Sequence, residues 1–159
     1  MPTIHLSTTI AAPPERVFDL ARSIDAHVAS TEGTRERAVA GVTSGLIGLN
    51  EEVTWEARHL GKMRKMTSRI TAFDRPRHFQ DVMVSGDFKM MRHDHVFSSA
   101  PAGTLMVDHF QFESPYGPLG LLANLFLTGY MRRLLTRRNL ILKRLTESDD
   151  WHKILGAPL

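Results

Sequence analysis

Apolar and polar residues alternate from the start of the chain. Ile4, Leu6, Thr8 and Ile10 fall on one parity, with His5, Ser7 and Thr9 on the other. A period of two sends successive side chains to opposite faces, so Thr3 to Ile10 is predicted as a strand with one covered face. Pro13 and Pro14 end it, because proline cannot donate to a strand ladder yet fits the first turn of a helix. Glu15 to Arg22 then reads as a short helix with Val17, Phe18 and Ala21 inward, and Ile24 to Ser30 as a second.

The period returns to two after Arg35. Strands are predicted over Arg37–Val42, Glu52–His59, Met63–Phe73, Phe79–Val84, Lys89–Ser98 and Thr104–Glu113. Gly41, Gly45 and Gly48 suggest a bend, and Leu60-Gly61-Lys62, Asp74-Arg75-Pro76, Ser85-Gly86-Asp87 and Pro101-Ala102-Gly103 supply turns. Short strands joined by tight turns make an antiparallel meander. Pro115-Tyr116-Gly117-Pro118 breaks the sheet. Beyond it, Leu119, Leu122, Phe126, Tyr130, Leu134, Ile141 and Leu145 form one apolar stripe of a helix from about Leu119 to Thr146. At ~1.5 Å per residue this helix is ~40 Å long, enough to cross a sheet whose strands span ~20–34 Å. Residues 147–159 are expected to be an irregular tail, docked through Trp151, Ile154 and Leu155. The class predicted is α+β: one domain over residues 1–159, with a curved antiparallel sheet of about seven strands wrapped around a long C-terminal helix.

Three segments carry a family resemblance. Ile-Ala-Ala-Pro-Pro-Glu-Arg-Val-Phe-Asp-Leu at 10–20 is similar to an entry from first strand to first helix. Ala-Gly-Thr-Leu-Met-Val-Asp-His-Phe at 102–110 is similar to a last hairpin, and Ser-Pro-Tyr-Gly-Pro-Leu-Gly at 114–120 to the approach to a closing helix. Together with the element order, they resemble the helix-grip fold of the START-related, or SRPBCC, superfamily, and specifically its small bacterial members with cyclase-like or cell-division labels. The resemblance covers essentially the whole chain. It implies a cavity between sheet and long helix. It transfers no catalytic residue, because the superfamily has no shared catalytic motif and a fold does not fix an activity.

Strand parity nominates the cavity lining. Met106, Asp108, Phe110 and Phe112 share a face, as do Phe79, Asp81 and Met83, and Met91, His93, His95 and Phe97. Trp55 goes with Val53 and Ala57, and Arg138 sits on the apolar side of the long helix. The predicted ligand-binding set is Trp55, Asp81, Met83, Met91, His93, His95, Met106, Asp108, Phe110, Phe126, Tyr130, Leu134 and Arg138. A buried charge is costly unless paired, so the acids are expected to meet the histidines or Arg138. Three readings stay open: a satisfied polar network, recognition of a ligand's polar group, or chemistry with His93 or His95 as general base beside Asp81 or Asp108. His-x-His spacing also suits a metal, with Asp108 or His27 completing the shell, although no metal or cofactor is assigned. Thr31 to Glu36 is a candidate lid.

Composition narrows the field a little. Hydrophobic residues at 42% and charged residues at 23% are ordinary for a globular chain. The lack of cysteine excludes disulfides and thiolate zinc sites. The N-terminus lacks the layout of a signal peptide, and no stretch reaches the ~20 apolar residues of a membrane span, so a cytoplasmic location is expected. Much of the net charge of +3 sits in Arg132, Arg133, Arg137, Arg138, Lys143 and Arg144. This is read as a solvated helix face, and no nucleic-acid partner is expected. The function expected is binding of a small lipophilic or aromatic molecule without catalysis. The alternatives are a polyketide cyclase- or dehydratase-like enzyme using a His/Asp pair, and an interaction protein using the basic helix face.

Overall fold

The computed structural model describes residues 1–156. Seven strands form one antiparallel sheet: β1 (Thr3–Ile10), β2 (Arg37–Gly41), β3 (Glu52–His59), β4 (Lys62–Asp74), β5 (His78–Ser85), β6 (Met90–Ala100) and β7 (Gly103–Glu113). Their spatial order is β1-β7-β6-β5-β4-β3-β2, so the first strand pairs with the last and the rest follow in sequence. Between β1 and β2 lie α1 (Pro14–Ala21) and α2 (Ile24–Ser30), followed by a short 3-10 turn at Glu32–Thr34. The long helix α3 (Gly120–Glu147) crosses the concave face. This is the helix-grip fold.

Local chemistry sets the first elements. Pro14 opens α1, and Glu15 in its first turn complements the helix dipole. Ser23 caps α2, its Oγ accepting from the Ala26 N–H at 3.1 Å. α1 is held by Phe18, which is fully buried and meets Phe73, Phe79 and Phe97 edge-on, each with ring centroids 5.3 Å away. Irregular pairing at Thr67/Ser68 and Ile70/Ala72 interrupts the β4–β5 ladder, and bulges of this kind bend a strand and increase its twist. The buried core divides in two. One part lies under α1 and α2; the other holds Ile4, Met91, Phe110, Phe112 and Leu135.

Two expectations are corrected. The tail is not irregular throughout: Trp151–Leu155 forms a further helix, α4. Trp151, Ile154 and Leu155 share one helical face and pack on the core, and the Arg16 guanidinium covers the Trp151 ring at 4.1 Å. Residues 157–159 of that predicted tail lie outside the described residues. The inward stripe of α3 is also displaced by one residue. It runs through Leu127, Met131, Leu135 and Leu142, while Leu119, Leu122 and Phe126 face outward. Leucines surround the first half of the helix, so periodicity there does not choose a face. Arg138 and Asn139, both buried, choose it through their polar partners on the sheet.

Candidate functional site

A cavity of about 520 Å³ lies between the sheet and α3. Trp55, Asp81, Met91, His93, His95 and Phe110 line it from the sheet, and Tyr130, Leu134 and Arg138 from α3, all among the residues expected from sequence. Alternation in β3 buries Val53, Trp55 and Ala57 together. In β6 it does the same for Met91, His93, His95 and Phe97. Thr31, Gly33, Thr34 and Glu36 line the mouth.

Four expected residues do not line the cavity. Met106 is fully buried in the core beneath α1. Phe126 is turned outward by the rotation of α3 and is 61% exposed. Met83 tucks under the turn after β5, where a Cβ at Gly86 would come within 2.7 Å of its Sδ. Asp108 stands behind the histidines, 1% exposed, and acts on the cavity through them.

Asp108 organises the polar end. His93 Nε2 is 2.9 Å from Asp108 Oδ1, and Asn139 Nδ2 donates to Asp108 Oδ2 at 2.6 Å. His95 Nδ1 lies 3.0 Å from Asp108 Oδ1, although it is not aligned for a hydrogen bond. Its Nε2 is 3.1 Å from Asp81 Oδ1. Arg138 Nη1 stands 3.9 Å from Asp108. The two imidazoles pack with centroids 3.8 Å apart.

Burial opposes ionisation of Asp108, but His93 and His95 outweigh it and hold the carboxyl well below the usual range. The same contest, with His95 the main partner, lowers Asp81. Asp108 is therefore an acceptor only, and His93 donates to it through Nε2. The histidines diverge. Burial and the neighbouring His95 depress His93 despite its contact with Asp108. Burial opposes the charge on His95 too, but Asp108 and Asp81 together raise it above its ordinary value. His93 thus keeps Nδ1 as an acceptor at neutral pH, and His95 holds a proton more readily than a free imidazole.

This divergence has a signature in stability. The contribution of His95 is fully present below an unfolded pKa of about 6.5 and is lost as pH rises through its raised folded pKa. His93 acts oppositely: its folded form resists protonation, so stability falls as pH drops below about 6.5. Replacing His93 with Gln removes the opposing term. Urea midpoints of His93→Gln should rise more steeply than those of the parent protein between about pH 8 and pH 6. A variant as flat as the parent would show that His95 is not held charged.

Asp81, His93 and His95 each offer a ligating atom within 4.8 Å of the others, so the third member of a metal-capable group among the described residues is Asp81 rather than His27 or Asp108. The contacts inside the group argue against a resident cation. His95 and Asp81 already satisfy one another, and Arg138 supplies positive charge beside the cluster.

Sequence reasoning missed two contributors and the role of a third. Asn139 fixes Asp108 from the helix; its only signal was a second polar residue beside Arg138 on a covered face. His59 Nδ1 is 2.9 Å from the Tyr130 hydroxyl and ties β3 to α3 at the mouth; it shares the parity of Trp55, which would have found it. His27, weighed from sequence as a metal ligand, instead stacks on Trp55 with centroids 4.2 Å apart and lies 3.3 Å from Glu36.

The family model described as polyketide cyclase / dehydrase and lipid transport matches residues 1–147. The chain belongs to this family. Solved structures share the family member's fold at low identity. TTHA0849 from Thermus thermophilus is 21% identical with a TM-score of 0.76, over 91% of this chain and 97% of that one. CV1439 from Chromobacterium violaceum is 15% identical with a TM-score of 0.71, over 92% and 98%. Ms6760 from Mycobacterium smegmatis is 15% identical with a TM-score of 0.69, over 90% and 89%. Comparison with curated proteins gives no match.

Proposed function

We propose that this polyketide cyclase / dehydrase and lipid transport family member binds a small lipophilic or aromatic molecule bearing a hydroxyl or carbonyl, and acts by holding it. The observation that carries this reading is the cavity itself, about 520 Å³ with apolar walls and a polar cluster at its deep end. Small-molecule sites are typically ~300–1,000 Å³, mostly apolar, with a few placed polar groups. Trp55, Met91 and Phe110 supply apolar wall. His93 presents an acceptor to a ligand hydroxyl.

A second reading, acid–base catalysis, is favoured by one observation: His93 is held by the Asp108 carboxylate through Nε2, which leaves Nδ1 as its basic nitrogen. His93 would take a proton from carbon beside a carbonyl and return it to the carbonyl oxygen, leaving an enol.

One set of measurements tests both. Native mass spectrometry should find a co-purifying organic molecule. Trp55 fluorescence, read in a Trp151→Phe background, should respond to lipophilic phenols and ketones. Ala57→Phe, which fills the cavity from β3, should weaken that response at least about tenfold, since blocked apolar contact is worth ~1.5–3 kcal/mol per side chain. No adduct and no fluorescence response to any probe would overturn the binding reading. Turnover of a poly-β-ketone by the parent, lost in His93→Gln with binding kept, would replace it with the catalytic one.

A further inference from the structure

We propose that the N-terminal half of α3 docks the protein on an anionic lipid bilayer, with the cavity mouth turned to the lipid. Tyr116, Leu119, Leu121, Leu122, Leu125 and Phe126 are all exposed, Leu119 at 87% and Leu122 at 79%. Isolated surface leucines are ordinary, but a contiguous cluster of this size marks an interaction surface. Leu121, Leu122, Leu125 and Phe126 occupy successive turns of one outward face, which continues into the exposed Arg132, Arg133 and Arg137.

Charge identifies the partner. From Ser114 to Thr146 there is no acidic residue, whereas Arg132, Arg133, Arg137, Lys143 and Arg144 are basic and lie outside the buried Arg138. Leucines followed by arginines along one face match a helix lying in a membrane interface: the apolar turns enter the acyl boundary and the cations meet lipid phosphates. A second copy of the chain fits less well. A two-fold contact sets the same patch against itself, and the arginines on this face would find no acid there. No helix among the described residues is long and apolar enough to cross a membrane, so the contact is with the surface.

Position links the patch to the cavity. Tyr116, Leu127 and Tyr130, from the same turns, line the cavity mouth. Opposite them Leu60, at the tip of the β3–β4 hairpin, is exposed and lines the mouth as well. A lipophilic ligand would then pass between cavity and bilayer without crossing water. That route rests on the proposed binding function; the docking does not.

The test is flotation of the full chain, with no added ligand, on vesicles of phosphatidylcholine alone or mixed in equal parts with phosphatidylglycerol. The protein should float with the mixed vesicles and come off as salt rises, because the Debye length shrinks. Leu122→Glu with Phe126→Glu should weaken binding at least about tenfold. Arg132→Ser with Arg133→Ser should weaken it about twenty-fivefold, at about fivefold per charge. Both pairs are exposed, so melting curves should match the parent's. Three results would overturn the proposal: no flotation on mixed vesicles, flotation unchanged in the Leu122/Phe126 variant, or a parent dimer that this variant dissociates while vesicles remain unbound. Flotation together with a negative result for Trp55 fluorescence and native mass spectrometry would sink the binding function and leave the docking standing. The reverse pattern would sink the docking alone.

Discussion

Asp108→Ala should lose about 3–5 kcal/mol of folding stability, the usual cost of stripping one partner from a buried ionic group. The loss comes from what remains. Asn139 Nδ2 and His93 Nε2, at 2.6 and 2.9 Å, lose their acceptor. His95, 3.0 Å away, loses the main group that favours its charge. Arg138, at 3.9 Å, is left beside it without a counter-charge from β7. Asp108→Asn keeps the volume and one acceptor, so it should lose less. Adding Arg138→Met to Asp108→Ala should restore part of the stability, because it removes an unpaired charge rather than a contact. Urea unfolding measures all three. A loss below about 1 kcal/mol for Asp108→Ala would mean that the carboxylate contributes no more than an ordinary hydrogen bond.

Phe18→Ala should cost a similar amount, about 3–5 kcal/mol, for a different reason. Its ring is fully buried and meets one phenylalanine from each of β4, β5 and β6. Truncation leaves a cavity among rings that the strands hold in place, so collapse cannot fill it. Edge-on ring pairs add ~0.5–1.5 kcal/mol each beyond the buried area. Phe18→Leu should cost less than half as much. The effect should also reach the ligand site. Phe79 lines the cavity and stacks on His95 at 4.2 Å, so loosening Phe18 loosens the ring that supports this histidine. Unfolding midpoints and Trp55 titrations on the same variants would check both effects. Full stability in Phe18→Ala would show that α1 is not anchored through this ring.

Where one face is covered, the sequence was readable. In β6 the order Met91, His93, His95, Phe97 leaves no other parity for the histidines, and in β7 Asp108 is carried inward between Met106 and Phe110. The long helix was legible as a helix but not in its rotation. Leu121, Leu122, Leu125 and Phe126 lie on one side of its first turns and Leu127 and Met131 on the other, and hydrophobicity on both sides says nothing about direction. Rotation was decided by Arg138 and Asn139, whose partners lie over a hundred positions away or on β7, beyond any local pattern. Lining was also harder to read than burial. Met106 faces the interior as expected, yet the space it meets is filled by α1, and alternation cannot tell a packed interior from a hollow one. α4 is a single helical turn with a bit more, too short for periodicity to declare.

The cluster around Asp108 also bears on which molecules the cavity can admit. Asp81 and Asp108 are held ionised, and they are opposed by Arg138 and by at most one charge on His95, while His93 resists protonation. The deep end therefore carries no surplus positive charge, its cations being already spent on the two carboxylates. A carboxylate or phosphate arriving there would find no surplus cation, and it would have to shed water in a region where an uncompensated ion is expensive. A ketone, phenol or enol brings only a dipole, which the local field can orient. Under the proposed binding function, the cavity would sort uncharged molecules by hydrogen bonding and turn acids away, even though the protein as a whole is basic.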